Sequence, residues 1–412
     1  MSTVLAYTSP AIGHLFPMTA LLVELRERGH DVHVRTLGTH VGLMRDLGLS
    51  AEPIDPRCIE VAYPDWEASN ARAALGVSVR TFTERAAFDG PDLDSAIAQV
   101  QPDALVVDVN AWGALGAAEA WGGPWLALSP YTPPITSKGA PPFGPGLLPR
   151  PGLLGRVRDA VLRPVVMGAA ERTMTPRINA LRASRGLPPV ASADEFFRKA
   201  PIMLVATSEP FEYHHDDWGD RIRMIGALPW EPPSLAPAWL DDIEGPIALV
   251  TTSSEYQADE ALVRAALDGL AGEPYTVVAT MPAGVDDRIN APANARIVDF
   301  VPHSHVLDRA AVAITHGGMG ATQKALSRGI PVCVVPFGRD QLEVAARVVA
   351  ADCGTRLPAK KLTPETLREK VREAATKAAG ARRVAAGYAA AGGAAAGADA
   401  VEGLLQSNAR IG

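Results

Sequence analysis

The chain has 412 residues, 47% hydrophobic and 21% charged, enough apolar sequence for two ordinary globular cores. Its 37 Gly and 35 Pro follow no period, which excludes collagen-like and low-complexity chains, and a net charge of −7 argues against a broad nucleic-acid surface. Cys58, Cys333 and Cys353 are too scattered for a disulfide framework or a CxxC pair. No apolar run reaches the ~18 residues of a membrane span. The opening MSTVLAYTSPAIGH has neither a basic n-region nor a long apolar stretch, so a cytoplasmic protein without signal peptide or membrane insertion is expected.

Val4–Thr8 reads as a buried strand, broken at Ser9-Pro10-Ala11-Ile12-Gly13-His14. A helix is predicted from about Phe16 to Arg28, with Leu21, Leu22 and Leu25 at helical spacing and Gly29 as its stop. Val32, Val34 and Thr36 alternate as a second strand, which makes a βαβ unit on a parallel sheet. Residues 102–108 read as another buried strand, ending in Asp108, and 124–128 as one more. Residues 130–155 are a Pro- and Gly-rich loop, long enough to be a binding lid, followed by a helix over about 156–185 and a strand at 202–207.

Residues 226–246, with Pro229, Pro232, Pro233, Pro237 and Pro246, read as a stiff interdomain linker. The α/β alternation then restarts, with strands at 247–252, 275–280, 296–301, 312–315 and 331–336 and helices at about 257–271 and up to Arg328. Two doubly wound, Rossmann-like α/β domains are therefore expected, facing a central cleft at the carboxyl ends of their strands. The expected boundaries are 1–225, the linker 226–246, 247–390, and an Ala-rich final helix at 391–412 that packs back on the first domain.

Chemistry concentrates in Ile314-Thr315-His316-Gly317-Gly318-Met319-Gly320-Ala321-Thr322. A strand enters this turn and a helix leaves it. Glycines let backbone N–H groups approach an anion, and the helix start adds its positive dipole end. The turn is neither a Walker loop nor G-x-G-x-x-G, which disfavours a nicotinamide dinucleotide enzyme. At the other side of the cleft, His14 follows the first strand and Asp108 ends a neighbouring one, an arrangement suited to a base and its orienting carboxylate. Asp103 is a second carboxylate on that strand, but at its start. The run His214-His215-Asp216-Asp217 has no helical His-x-x-x-His or Cys companion and reads as a polar loop, so no metal site is expected.

The ordered set Asp299-Phe300-Val301-Pro302-His303, then His316–Thr322, then Gly329-Ile330-Pro331, then Asp340-Gln341 resembles the donor-binding region of family 1 glycosyltransferases of GT-B fold. Gly13-His14 with Pro17, Asp108, the linker and the last helix extend that resemblance over nearly the whole chain, and the likeness is strongest to the actinobacterial natural-product branch. The resemblance implies that Phe300 stacks on a nucleobase and Val301 offers its backbone to the base edge. It implies that His316, Gly318, Met319, Gly320, Ala321 and Thr322 hold a diphosphate, and that Asp340 and Gln341 bind sugar hydroxyls. Ser254, in Thr251–Ser254, stands where the family has a phosphate-facing loop. Phe300 replaces a more usual Trp, and His303 a more usual Gln.

The resemblance further implies an inverting, metal-independent transfer of a sugar from a UDP- or dTDP-linked donor to a hydroxyl of a small apolar acceptor, with His14 as base and Asp108 as its partner. No cofactor is expected, because the nucleotide sugar is a co-substrate. Phe82, Phe88, Trp112 and Tyr131 are expected to line the acceptor pocket, and the protein to be a monomer or homodimer. A GT-B sugar-nucleotide epimerase and a non-catalytic nucleotide-sugar or aglycone binding protein are the alternatives.

Overall fold

The computed structural model describes residues 1–254, 257, 259–284 and 289–409. Among these, thirteen strands form two all-parallel sheets. The first sheet contains β1 (Thr3–Tyr7), β2 (Asp31–Thr36), β3 (Ser50–Pro53), β4 (Ala104–Asp108), β5 (Trp125–Ser129), β6 (Met203–Val205) and β7 (Ile222–Met224), in the order β3-β2-β1-β4-β5-β6-β7. The second contains β8 (Ile247–Thr251), β9 (Thr276–Thr280), β10 (Ala295–Val298), β11 (Ala310–Thr315), β12 (Val332–Val334) and β13 (Gly354–Arg356), in the order β10-β9-β8-β11-β12-β13.

Parallel strands are covered on both faces, so central strands such as β4 and β8 are buried at every position, whereas β2, nearer the edge, alternates. In β1, Val4 and Ala6 pack on one face while Leu5 and Tyr7 pack on the other. Among the helices that cover the sheets or carry residues of the cleft are α1 (Ile12–Glu27), α2 (Ala71–Val100), α3 (Trp112–Trp121), α4 (Gly152–Ser184), α5 (Met319–Leu326), α6 (Gln341–Ala350), α7 (Ala378–Ala390) and α8 (Gly393–Ala409), while helices Glu260–Leu270 and Pro364–Ala375 pack on one face of the second sheet. One face of the first sheet is covered by α2 and α3 and the other by α1 and α8. Ala398, Ala400 and Val401 of α8 are buried in the first domain's core, and Arg28 at the end of α1 pairs with Asp399 and Glu402 at 2.6 and 3.0 Å. Residues 410–412 of the predicted final helix lie outside the described residues.

Three short edge strands, β3, β7 and β13, go beyond those read from the sequence. In β3 only Ala51 is buried, so no apolar run marks it. Helix α1 begins at Ile12, four residues before its predicted start, without a side-chain cap. Pro17 lies inside it and brings no N–H to the Gly13 carbonyl. The consequence is functional: His14 belongs to the first turn of a helix instead of a loop. Helix α4 likewise begins earlier than expected, at Gly152.

The domains meet through buried charge. Arg347 on α6 donates from Nε to both carboxylate oxygens of Glu212 at 2.8 Å, and its Nη1 lies 2.8 Å from Glu343. Glu343 in turn accepts from the backbone N–H groups of Gly144 and Gly146 at 2.8 Å, which fastens the 130–151 loop to the second domain. Burial works to raise the Glu212 carboxyl, but Arg347 and His215 hold it down to about 2.

Candidate active site

Each sheet reverses its winding once, between β1 and β4 in the first domain and between β8 and β11 in the second. Open α/β sheets bind ligands outside the carboxyl ends of the strands at such switch points. His14 follows β1 and Asp108 ends β4. Thr252–Ser254 follow β8 and His316 follows β11. The topology therefore brings the residues singled out in the sequence to the two switch points.

On the first side, His14 Nδ1 lies 2.7 Å from Asp108 Oδ2. The carboxylate is 1% exposed and the imidazole 14%. Asp108 is itself held, its Oδ1 accepting the Asn110 backbone N–H at 2.8 Å. A carboxylate at Nδ1 places the ring proton there and leaves a lone pair on Nε2. Asn110 Nδ2 donates toward that lone pair at 3.2 Å, and Asn110 Oδ1 accepts from the Tyr131 hydroxyl at 2.8 Å. The chain Asp108–His14–Asn110–Tyr131 is thus consistent in one tautomer from end to end. The Tyr131 ring meets His14 edge-on, with centroids 5.8 Å apart, and burial raises its hydroxyl pKa well above normal. Asn110 was missed in the sequence. The signal available was an amide two residues beyond a strand-ending Asp, which on its own reads as a turn residue. Asp103 accepts from the Thr3 backbone at 2.8 Å at the start of the strand pair, the opposite end from His14.

On the second side, α5 starts at Met319 with no side-chain cap and no acid in its first turn. Gly317 has φ 94°, a left-handed conformation natural to glycine. Gly318 has a different reason to be glycine: a Cβ there would stand 2.4 Å from His316 Nε2. His316 is 6% exposed, and burial lowers its pKa to about 4, so it is neutral near pH 7. Met319 is core, and the buried Thr322 hydroxyl turns to Thr315 at 3.3 Å. Gly320 and Ala321 stand in the first turn of α5 with the N–H groups that no side chain caps.

Asp340 and Gln341 open α6. Both ends of the Gln341 amide are engaged: Oε1 accepts from the Phe337 and Gly338 N–H groups at 2.7 and 3.0 Å, and Nε2 donates to Gln257 at 2.6 Å. Burial leaves the Asp340 carboxyl pKa raised, although a backbone hydrogen bond and the charges of Arg339 and His14 oppose the rise. Phe300 is 60% exposed, whereas Val301 is buried and Ser254 exposed. His303 reaches the Thr280 hydroxyl at 3.1 Å, and its N–H is held by Glu231 at 2.9 Å.

The aromatic positions separate. Tyr131 joins the His14 network. Trp112 is 2% exposed, packed among Phe82, Phe196 and Phe197, and is a core residue. Phe82 also meets Tyr63 at 5.8 Å, and Phe88 carries the Arg57 guanidinium 4.6 Å above its ring. His214 is exposed and paired with Glu209 and Asp216, while His215 is buried flat against Trp218 at 3.5 Å.

Two Rossmann-like domains with facing switch points, one carrying a His–Asp pair and the other a Gly-rich helix start, define a GT-B fold. Comparison with known proteins agrees. Residues 264–401 match the erythromycin biosynthesis protein CIII-like C-terminal domain. The chain is 30% identical over 386 residues to 4'-demethylrebeccamycin synthase of Lentzea aerocolonigenes, covering 90% of each. It is 26% identical to demethyllactenocin mycarosyltransferase of Streptomyces fradiae, covering 99% of this chain and 88% of that one. The fold matches the glycotransferase of kitacinnamycin with a TM-score of 0.73, at 24% identity and covering 98% of this chain and 99% of that one. It matches VinC in complex with dTDP at 0.72, with 21% identity, covering 98% of this chain and all of that one. The chain belongs to the family 1 glycosyltransferases of GT-B fold, in their natural-product branch. Among the described residues, no helix is long and apolar enough to cross a membrane.

Proposed function

We propose that this protein moves a hexose from a UDP- or dTDP-linked donor to a hydroxyl of a small apolar acceptor of phenol, polyketide or macrolide type, inverting the anomeric carbon. The observation that carries this reading is the 2.7 Å His14–Asp108 contact, which leaves the imidazole lone pair on Nε2 at the cleft. The acceptor hydroxyl displaces Asn110 Nδ2 from Nε2. His14 takes its proton as the oxygen attacks the anomeric carbon. The new C–O bond forms on the face opposite the diphosphate, and the sugar–oxygen bond to the diphosphate breaks, which inverts the carbon. Asp108 stabilises the imidazolium that results.

The leaving diphosphate gathers charge as that bond breaks. The N–H groups at the start of α5, with the His316 ring packed beside them, are preorganised donors for that charge, and they supply the stabilisation that a metal ion gives elsewhere. Asp340, half-buried at the start of α6, offers carboxylate oxygens to sugar hydroxyls. Both substrates of this reaction are consumed as reagents, so no resident cofactor takes part.

The test is a calorimetric screen of UDP, dTDP and their sugar conjugates, followed by mass-spectrometric detection of a glycosylated acceptor. His14→Ala is expected to bind nucleotide and lose transfer. Full turnover by that variant removes the base assignment. An isomerised sugar from donor incubated alone replaces transfer with epimerisation.

A further inference from the structure

Arg339 stands between Gly338 and Asp340, in the turn from β12 to α6. Its φ is 51°, in the left-handed region that a residue with a side chain rarely adopts. Such a conformation persists where its surroundings over-determine it. Here the turn is fixed from below by Gln341, whose side chain binds the Phe337 and Gly338 N–H groups. The arginine side chain is fixed from across the cleft. Its Nε and Nη2 donate to Oδ2 and Oδ1 of Asp65 at 2.7 and 2.9 Å, a bidentate pair between domains. Its guanidinium also lies 4.7 Å above the Tyr63 ring. The Asp65 side chain is 6% exposed, so the pair is largely withdrawn from water.

The segment bearing Tyr63 and Asp65 is a strap laid over α2. Tyr63 reaches the Ser78 hydroxyl at 2.9 Å, and the Ala62 and Val61 carbonyls accept from Thr81 and Arg85, each at 3.1 Å. The strap adjoins Phe82. On the other side, the turn that carries Arg339 also carries Asp340, whose carboxyl feels the charge of His14.

We propose that Arg339 and Asp65 form a latch that ties the acceptor-side strap to the donor turn and keeps water from the anomeric carbon. Both are positioning residues, and the proposal rests on the glycosyltransferase reading above. Water that enters reacts by the same displacement. Its oxygen bonds to the anomeric carbon, the bond to the diphosphate breaks, and its proton passes to His14, which releases free sugar. The latch therefore sets the partition between transfer and hydrolysis, and not the strength of nucleotide binding.

The experiment compares wild-type protein with Asp65→Asn and Asp65→Glu. It measures free sugar released per glycosylated product, acceptor KM, nucleotide Kd, and hydrogen exchange of residues 57–68. Asp65→Asn is expected to raise hydrolysis relative to transfer about tenfold, raise acceptor KM, speed exchange of the strap and leave nucleotide Kd within twofold. Asp65→Glu is expected to recover most of the partition. An unchanged partition in Asp65→Asn overturns the latch, as does a partition that moves while strap exchange does not. Wild-type protein that consumes no donor by either route defeats the transferase reading instead. Strap exchange in Asp65→Asn then still decides whether Asp65 holds the strap.

Discussion

Asp108 and Asn110 are two residues apart and bind opposite nitrogens of one imidazole: Asp108 Oδ2 lies 2.7 Å from His14 Nδ1, and Asn110 Nδ2 lies 3.2 Å from Nε2. The carboxylate fixes the tautomer, and the amide occupies the nitrogen that the proposed mechanism gives to the acceptor hydroxyl. Asp108→Asn puts an amide against Nδ1 that can donate, which moves the ring proton to Nε2. Its kcat is expected to fall roughly 10⁴-fold, as when a triad carboxylate is replaced by its amide. Asn110→Ala keeps the correct tautomer and is expected to lose only about tenfold, mainly through looser orientation of the ring. Initial rates at saturating donor separate the two.

Gly318 has no room for a side chain. Gly318→Ala drives a methyl into the 2.4 Å gap before His316 Nε2 and turns the ring from the start of α5. Nucleotide Kd is expected to weaken about tenfold, equal to about 1.4 kcal/mol. Calorimetry with UDP and dTDP measures this, and a thermal melt within a few degrees of wild type shows that the fold is intact.

Stability toward acid follows from two buried imidazoles. Burial holds both His316 and His303 at about 4, with Lys324 also lowering the latter, whereas an unfolded histidine titrates near 6.5. A folded pKa below the unfolded one means that the unfolded chain binds protons first. Stability is therefore intact above pH 6.5, falls between pH 6.5 and 4, and stops falling on this account below 4. Each histidine contributes about 2–3 kcal/mol of that loss by pH 4.5. Urea titrations at pH 7 and 4.5 measure it. His303→Gln, whose amide still reaches the Thr280 hydroxyl, is expected to remove about half of the drop.

Removing the cation of the interdomain cluster creates a defect that responds to pH in the other direction. Arg347→Met leaves Glu212 and Glu343 buried without their cation and is expected to destabilise by about 3–5 kcal/mol at pH 7. Arg28→Met, which removes the more exposed contacts to Asp399 and Glu402, is expected to cost less than about 1 kcal/mol. Acid eases the Arg347→Met defect, because Glu212 without Arg347 protonates more readily. Denaturant unfolding of the two variants at pH 7 and 5 checks both statements.

Much of this architecture is local, and local features are legible in a sequence. Buried parallel strands are short apolar runs, so β1, β4, β8 and β11 can be read from composition alone. Asp108 and His316 sit at the end of such a run and His14 shortly after one, and the glycines beside His316 mark a turn whose backbone can approach an anion. From these the chain order of the site emerges, as does the family resemblance. Edge strands β3, β7 and β13 carry too few buried positions to show a pattern. The early start of α1 is hidden because no capping residue precedes it.

What the tertiary structure alone decided is the pairing of side chains distant in sequence. Nothing near Asn110 indicates that its amide faces an imidazole 96 residues away, or that Arg339 crosses the cleft to Asp65, 274 residues away. Aromaticity marked Trp112 and Tyr131 as equals, yet Trp112 fills the core and Tyr131 reaches the His14 network. The difference is depth, and depth is set by how α3 and the 130–151 loop pack on the sheet. Sequence period records which way a residue faces along its own element. Which residue it then meets depends on packing between elements, and so does the geometry of the site.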